Sequence, residues 1–174
     1  MMTLLKWILL AFIALAGVLI LAGQLGALRG SRPNGLGVKD GRLKAPSRTA
    51  NSVSSQSALH AEHAMRDFAA IAPLPLHGDA AASIKALRAL VEAQPGAAVI
   101  EQSGDYLYAE FRTRVLGFVD DVEFWAEPAA GVIHLRSSSR IGRKDFGVNR
   151  QRIETLRARW AGAAAAVAAP QALR

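Results

Sequence analysis

Apolar positions are continuous at the start of the chain, absent as a pattern in the next stretch, and periodic from there on. Residues 7–28, WILLAFIALAGVLILAGQLGAL, carry no charge and lie between Lys6 and Arg29. That length matches the roughly 20 residues needed to cross a bilayer and exceeds the roughly 7–15 apolar residues of a cleavable signal. Residues 1–28 therefore read as an uncleaved membrane anchor, with Ala-x-Ala-like spacings leaving a signal as the alternative. Residues 29–56 are rich in Gly, Ser, Arg and Pro and show no periodicity, which predicts a basic linker or a strap laid across the domain. A short helix is expected over 57–71, ending before the prolines of APLPL. The next stretch, DAAASIKALRALVEAQPG, predicts a helix with Asp79 as N-cap, an Ile84, Leu87, Leu90 and Val91 stripe, and a stop at Pro95-Gly96.

Four strand-like runs follow, over 97–103, 106–115, 118–127 and 132–139, joined by connections short enough to imply hairpins. A long helix begins after Asp145, with Ile153, Leu156 and Trp160 on one stripe. The predicted fold is α+β: a four-stranded antiparallel meander with helices packed on one face, preceded by one N-terminal transmembrane helix. The α+β domain is assigned to 57–165 and an Ala-rich tail to 166–174.

Two-residue alternation tests this arrangement. A turn at Leu116-Gly117 pairs Phe111 with Val122 and Ala109 with Phe124. A turn over 128–131 pairs Phe124 with Leu135 and Val122 with Ser137. Both hairpins place the apolar residues on one face, an agreement that a one-residue slip would destroy. The opposite face then carries the rows Tyr108–Trp125–His134, Glu110–Glu123–Arg136 and Arg112–Asp121–Ser138. Rows of alternating charge predict a solvated face, with Tyr108, Asp121, Glu123, Trp125, His134 and Arg136 as secondary surface candidates.

The two aspartates of FVDDVEFW are separated by the same alternation. Asp120 points into the helix-covered layer between Thr113 and Ser139, where a buried carboxylate needs a partner. Asn149 shares the inward stripe of the last helix, and Arg140 and Arg150 flank the corner. The candidate polar corner is thus Asp120, Ser139, Arg140, Asn149 and Arg150, read as a structural network first, as an anion or ligand pocket second, and as a catalytic base third.

Charge and composition narrow the function classes. The formal net charge is +7, yet residues 73–160 hold twelve Lys/Arg against eleven Asp/Glu, while residues 1–72 hold eight against three. The basic excess sits beside the apolar segment, where it attracts anionic head groups or sets topology. No nucleic-acid motif accompanies it. The chain has no cysteine, which excludes thiolate chemistry, disulfides and cysteine metal sites. His60 and His63 lie three apart without an evident third ligand, and the serines of NSVSSQS lack a nucleophile elbow or neighbouring base. No metal or cofactor is expected.

Several motifs in order resemble one family. PLPLHGD, DYLYAEFRTRVLGFVDD and LRSSSRIGRKDFGVNRQRIETLR are similar to the domain of unknown function 1499, over about Gly35 to Trp160. Ser52 stands where that family usually has cysteine, and a second family cysteine after GRL is absent here. The resemblance implies that Asp120, Asp121, Glu123, Arg136, Ser139, Arg140, Gly142, Asp145, Gly147, Asn149 and Arg150 match its pattern. It implies no activity, substrate or cofactor.

The functional expectation is a membrane-anchored, non-enzymatic envelope module that binds a small ligand, lipid or partner protein. A small hydrolase-like enzyme acting on an anionic substrate and a purely structural scaffold are the alternatives. The bilayer, met through residues 7–28, is the expected partner. The positive-inside rule favours a cytoplasmic domain, whereas a single N-terminal apolar segment favours export, the side expected here.

Overall fold

A computed structural model describes residues 2–168, so most of the 166–174 tail lies outside the described residues. The apolar segment forms helix α1, Met2–Gln24, long and apolar enough to cross a membrane, with none of its most apolar window buried against protein. The sheet that follows has six strands: β1 Ser52–Ser54, β2 Leu74–Pro75, β3 Ala97–Gln102, β4 Tyr106–Arg112, β5 Val119–Glu127 and β6 Val132–Ser139. Its order is β1-β6-β5-β4-β3, with β2 also paired to β6, and every pairing is antiparallel. The α+β architecture and the four-strand meander are as expected. The two short additional strands come from segments too brief to show alternation.

The β5–β6 register pairs Phe124 with Leu135, Val122 with Ser137 and Asp120 with Ser139, as alternation predicted. The β4–β5 register differs by two residues. Phe111 faces Asp120, Ala109 faces Val122 and Leu107 faces Phe124. The cause is the turn. The Thr113 amide donates to the Phe118 carbonyl at 2.9 Å and the Phe118 amide to Thr113 Oγ1 at 2.9 Å, so the hairpin closes four residues rather than two.

Helices α3, Ala80–Glu92, and α4, Val148–Ala168, cover one face. The Asp79 carboxylate accepts from the Ala81 and Ala82 amides at 2.8 and 3.2 Å and starts α3. Ile84, Leu87 and Val91 of α3 and Ile153, Leu156 and Trp160 of α4 are buried against Leu107, Val122, Phe124, Ile133 and Leu135. Each such side chain contributes about 1.5–3 kcal/mol of transfer free energy on burial. Trp160 also donates its indole N–H to the Pro75 carbonyl at 2.8 Å.

The 57–71 helix is replaced by a 3₁₀ turn, Ser57–Leu59, and a short helix α2, Arg66–Ala69. Leu59 and Phe68 are exposed there, so no apolar stripe is buried to hold a longer helix. The chain instead returns to the sheet edge, where Ser54 bridges Ala70.

The other face of the sheet is not solvated, contrary to the reading of its alternating charges. Asp121, Glu123, Arg136 and Tyr108 are buried because residues 29–56 run across them. Leu36, Val38 and Leu43 pack on Tyr106, Tyr108 and Trp125, and β1 then joins β6 as an edge strand. The strap is held by Gln56, whose Oε1 accepts from the Leu43 amide at 2.8 Å while its Nε2 donates to the Gly41 carbonyl at 3.0 Å.

Candidate functional site

Two polar networks lie on opposite faces of β5, one behind each aspartate. On the helix face, Arg152 donates through Nη2 to Asp120 Oδ2 at 2.6 Å and through Nη1 to Asn149 Oδ1 at 2.8 Å and Ser137 Oγ at 3.1 Å. The Asn149 amide donates to Ser139 Oγ at 3.0 Å and to the Asn51 carbonyl at 3.1 Å. Asp145 caps α4, accepting from the Gly147 amide at 3.0 Å and the Asn149 amide at 2.9 Å. The corner thus brings together Asp120, Ser139 and Asn149 from the sequence-derived set.

Arg140 and Arg150 are not in that corner. Arg140 follows Ser139, and strand alternation turns it to the other face. There its Nη2 donates to Glu110 Oε1 at 2.6 Å and Asp121 Oδ1 at 2.7 Å. Arg150 donates to the Phe68 and Ala70 carbonyls at 2.7 and 2.9 Å, fastening α4 to α2. The cation that meets Asp120 is Arg152. Its signal was present: it lies three residues after Asn149, hence on the same helical face.

The strap-covered face holds a denser network. Tyr108 donates to Asp121. Glu110 receives Arg140 and also Arg32 from the strap, at 2.7 Å. Burial alone would raise the Glu110 carboxyl, but the Arg140 and Arg32 hydrogen bonds prevail and hold it below its usual value. Glu123 is the reverse case: burial raises it, and Arg136 at 3.5 Å together with the Gly37 amide at 2.7 Å offsets that only in part. Burial likewise lowers Arg136, which also donates to the Ala45 carbonyl at 3.2 Å. Trp125 and His134 stack with centroids 5.5 Å apart, and His134 Nε2 sits 2.8 Å from Glu127. All six secondary candidates therefore occupy this face, most of them beneath the strap. Proton transfer needs a carboxylate with a free lone pair facing substrate. Asp120, Asp121, Glu110 and Glu123 are each committed to an arginine.

The accessible chemistry lies at the end of the sheet. The β4–β5 hairpin tip meets the end of α1: Gln24 Nε2 donates to the Arg114 and Val115 carbonyls at 2.8 and 2.7 Å, and Arg112 Nη2 donates to the Gln24 carbonyl at 2.9 Å. Two glycines allow this approach. A Cβ on Gly23 would stand 2.3 Å from the Leu116 oxygen, and one on Gly117, at φ +67°, 2.4 Å from the Gly23 oxygen. Arg112, expected opposite Asp121, instead faces Val119 and turns to α1.

The same tip forms one wall of a groove of about 780 Å³. Arg112, Thr113 and Arg114 line that wall, and Gln151, Arg152 and Thr155 of α4 line the other. Gly96, at φ +76°, closes one end; a Cβ there would stand 2.2 Å from the Arg112 oxygen. The lining contains three arginines and no carboxylate. Arg152 is neutralised by Asp120 behind it, Arg112 is turned to backbone carbonyls, and Arg114 is exposed with no side-chain partner among the described residues. Such a groove suits an anion, since guanidinium groups bind phosphate and carboxylate oxygens in pairs. His60 and His63 have ring centroids 6.5 Å apart, and no group of three metal-ligating side chains occurs among the described residues.

Among known proteins, the family model described as "Protein of unknown function (DUF1499)" matches residues 42–159. No curated protein and no solved structure matches the chain. The matched span includes the helix-face network, both walls of the groove and the strand residues of the strap-covered network, but not the strap residues Arg32 and Gly37.

Proposed function

The chain belongs to the DUF1499 family, and from that premise we propose that it is a non-enzymatic, membrane-anchored module that binds an anionic ligand in the arginine-lined groove. One observation carries the reading: residues 112–114 wall the groove, and the same hairpin tip clasps the last turn of α1 through Arg112 and the carbonyls of Arg114 and Val115. The anchor therefore does more than tether. It sets the orientation of the domain and brings the groove to the edge of the bilayer. The commitment of every buried carboxylate on β5 to an arginine favours binding over proton transfer. The docking of Gly23 and Gln24 favours a retained anchor over a cleaved signal. Export of the domain, the usual fate of a chain behind one N-terminal apolar segment, belongs to the same proposal; a compartment-specific reporter fused after Arg174 tests it.

The binding claim is tested by calorimetric titration of sn-glycerol 3-phosphate into the full chain in neutral-lipid nanodiscs. Saturable binding is expected, weakened about tenfold by Arg114→Glu, the scale of one charge-assisted phosphate contact. Absence of binding, or equal affinity in Arg114→Glu, contradicts the proposal.

A further inference from the structure

The groove reading leaves open where the anion comes from. Resting on that reading, we infer that the occupant is the phosphodiester head group of an anionic phospholipid drawn from the bilayer that α1 enters. Three observations converge on this source.

The first is position. α1 is uncharged from Trp7 to its end at Gln24, so its last turn marks the boundary of the hydrocarbon layer. Gln24 donates to the carbonyls of Arg114 and Val115. The Arg114 backbone is therefore held at that boundary, and its exposed side chain belongs to the groove wall beside it, close to where lipid phosphates are concentrated. A soluble anion would gain nothing from that placement.

The second is the character of the tip. Val115 is 55% exposed beside Arg114, and the Leu116 backbone lies over Gly23. An apolar residue next to a cation at the end of a membrane helix is the pattern of an interfacial contact, in which the aliphatic side chain enters the acyl boundary and the cation stays among phosphates.

The third is the shape of the lining. The lining also includes the apolar Phe111 and Val148 and the hydroxyl residues Thr113 and Thr155. Thr113 Oγ1 accepts from the Phe118 amide and Thr155 Oγ1 donates to the Gln151 carbonyl, so the first can still donate and the second can still accept. A head group offers phosphate to Arg114, glycerol to these hydroxyls, and the first methylenes to the apolar lining. Inorganic phosphate uses only the first of these.

The test is native mass spectrometry of the full chain, equilibrated in mixed micelles with equal phosphatidylglycerol and phosphatidylcholine, with and without excess sn-glycerol 3-phosphate. The expected result is about tenfold preferential retention of phosphatidylglycerol. Soluble glycerol phosphate should displace it. Arg114→Glu and Thr155→Glu, both at exposed groove positions, should abolish the preference, whereas Arg48→Glu on the strap, whose charge change equals that of Arg114→Glu and exceeds that of Thr155→Glu, should not. The two groove variants also guard against misfolding of either one.

Equal retention of both lipids overturns the lipid source; the groove reading survives if the calorimetric titration still shows glycerol phosphate binding, and falls if it does not. A preference that persists in both groove variants, or that Arg48→Glu removes equally, places the lipid on the diffuse basic strap and overturns the assignment to the groove.

Discussion

Arg152 lies between Asp120 and the ring of Phe111, its Nη2 2.6 Å from the carboxylate and its guanidinium carbon 4.6 Å from the ring centroid. Both members of the ion pair are more than nine-tenths buried at the side chain. This pair, with Asn149 bridging, fastens α4 to the sheet. Arg152→Ala leaves a buried carboxylate without its cation and is expected to cost about 3–5 kcal/mol in urea unfolding. Replacing both partners with apolar residues of similar size should recover much of that loss. A cost below about 1 kcal/mol for Arg152→Ala, the scale of a surface pair, would contradict the assignment.

Glu110 and Glu123 make opposite predictions for acid stability. Glu110 is held below its ordinary 4.5, the arginine hydrogen bonds outweighing burial. Its stabilising contribution is present above 4.5 and is lost as pH falls through the lower folded value. Glu123 is raised above 4.5, chiefly by burial. Its titration therefore favours the folded state below 4.5, an effect lost as pH rises through the raised value. Across a pH series of thermal melts, the gap between parent and Glu110→Gln should widen with rising pH, whereas the gap between parent and Glu123→Gln should narrow. Parallel slopes would contradict this account of the strap-covered network.

The strap is predicted to open as a unit when its clasp is removed. Gln56 makes two hydrogen bonds to the 41–43 turn, and Gln56→Ala leaves the buried Leu43 amide unpaired, at a cost of about 1–3 kcal/mol. Hydrogen exchange should rise over residues 36–45, including the Gly37 amide bound to Glu123. Unchanged protection there, with the variant folded, would show that the strap is held elsewhere.

What the sequence made legible follows from the physics of each element. Alternation placed the residues of β4, β5 and β6 that lie beneath α3 and α4 on one face, because an apolar face needs only parity to be recognised. The buried Tyr106 and Tyr108, by contrast, fell on the face that reads as solvated. Parity is blind to a shift of two. Alternation alone suggests a turn at Leu116-Gly117, whereas Thr113 and Phe118 close the hairpin, so the rows shift while the faces stay. Arg140 was misplaced for want of the same parity, since the residue after an inward Ser139 must point outward. The strap was harder to see. Its few apolar residues, Leu36, Val38 and Leu43, lack a period because they cover a sheet without forming a strand. A face buried beneath them therefore carried charges that resembled a solvated surface. The groove was unreadable for another reason: its two walls are Arg112–Arg114 and Gln151–Thr155, remote in sequence, and the first packs against the end of α1.

The seating of the domain on α1 predicts a sensitivity to bulk at Gly23. Gly23→Leu drives a side chain into the Leu116 backbone, so the hairpin must separate from α1. The rotational mobility of the domain, followed by fluorescence anisotropy in nanodiscs, should increase while its secondary structure is retained. Equal anisotropy would mean that the glycine contact does not hold the domain.

The most direct measurement uses the absence of cysteine. A single fluorophore at Val115→Cys, at the hairpin tip, is compared with one at Gly104→Cys, in the β3–β4 turn, in vesicles carrying head-group spin labels. Strong quenching is expected at position 115 and little at 104, because the tip lies against the last turn of α1. Equal quenching at the two positions, or quenching only at 104, would contradict a groove held at the membrane surface.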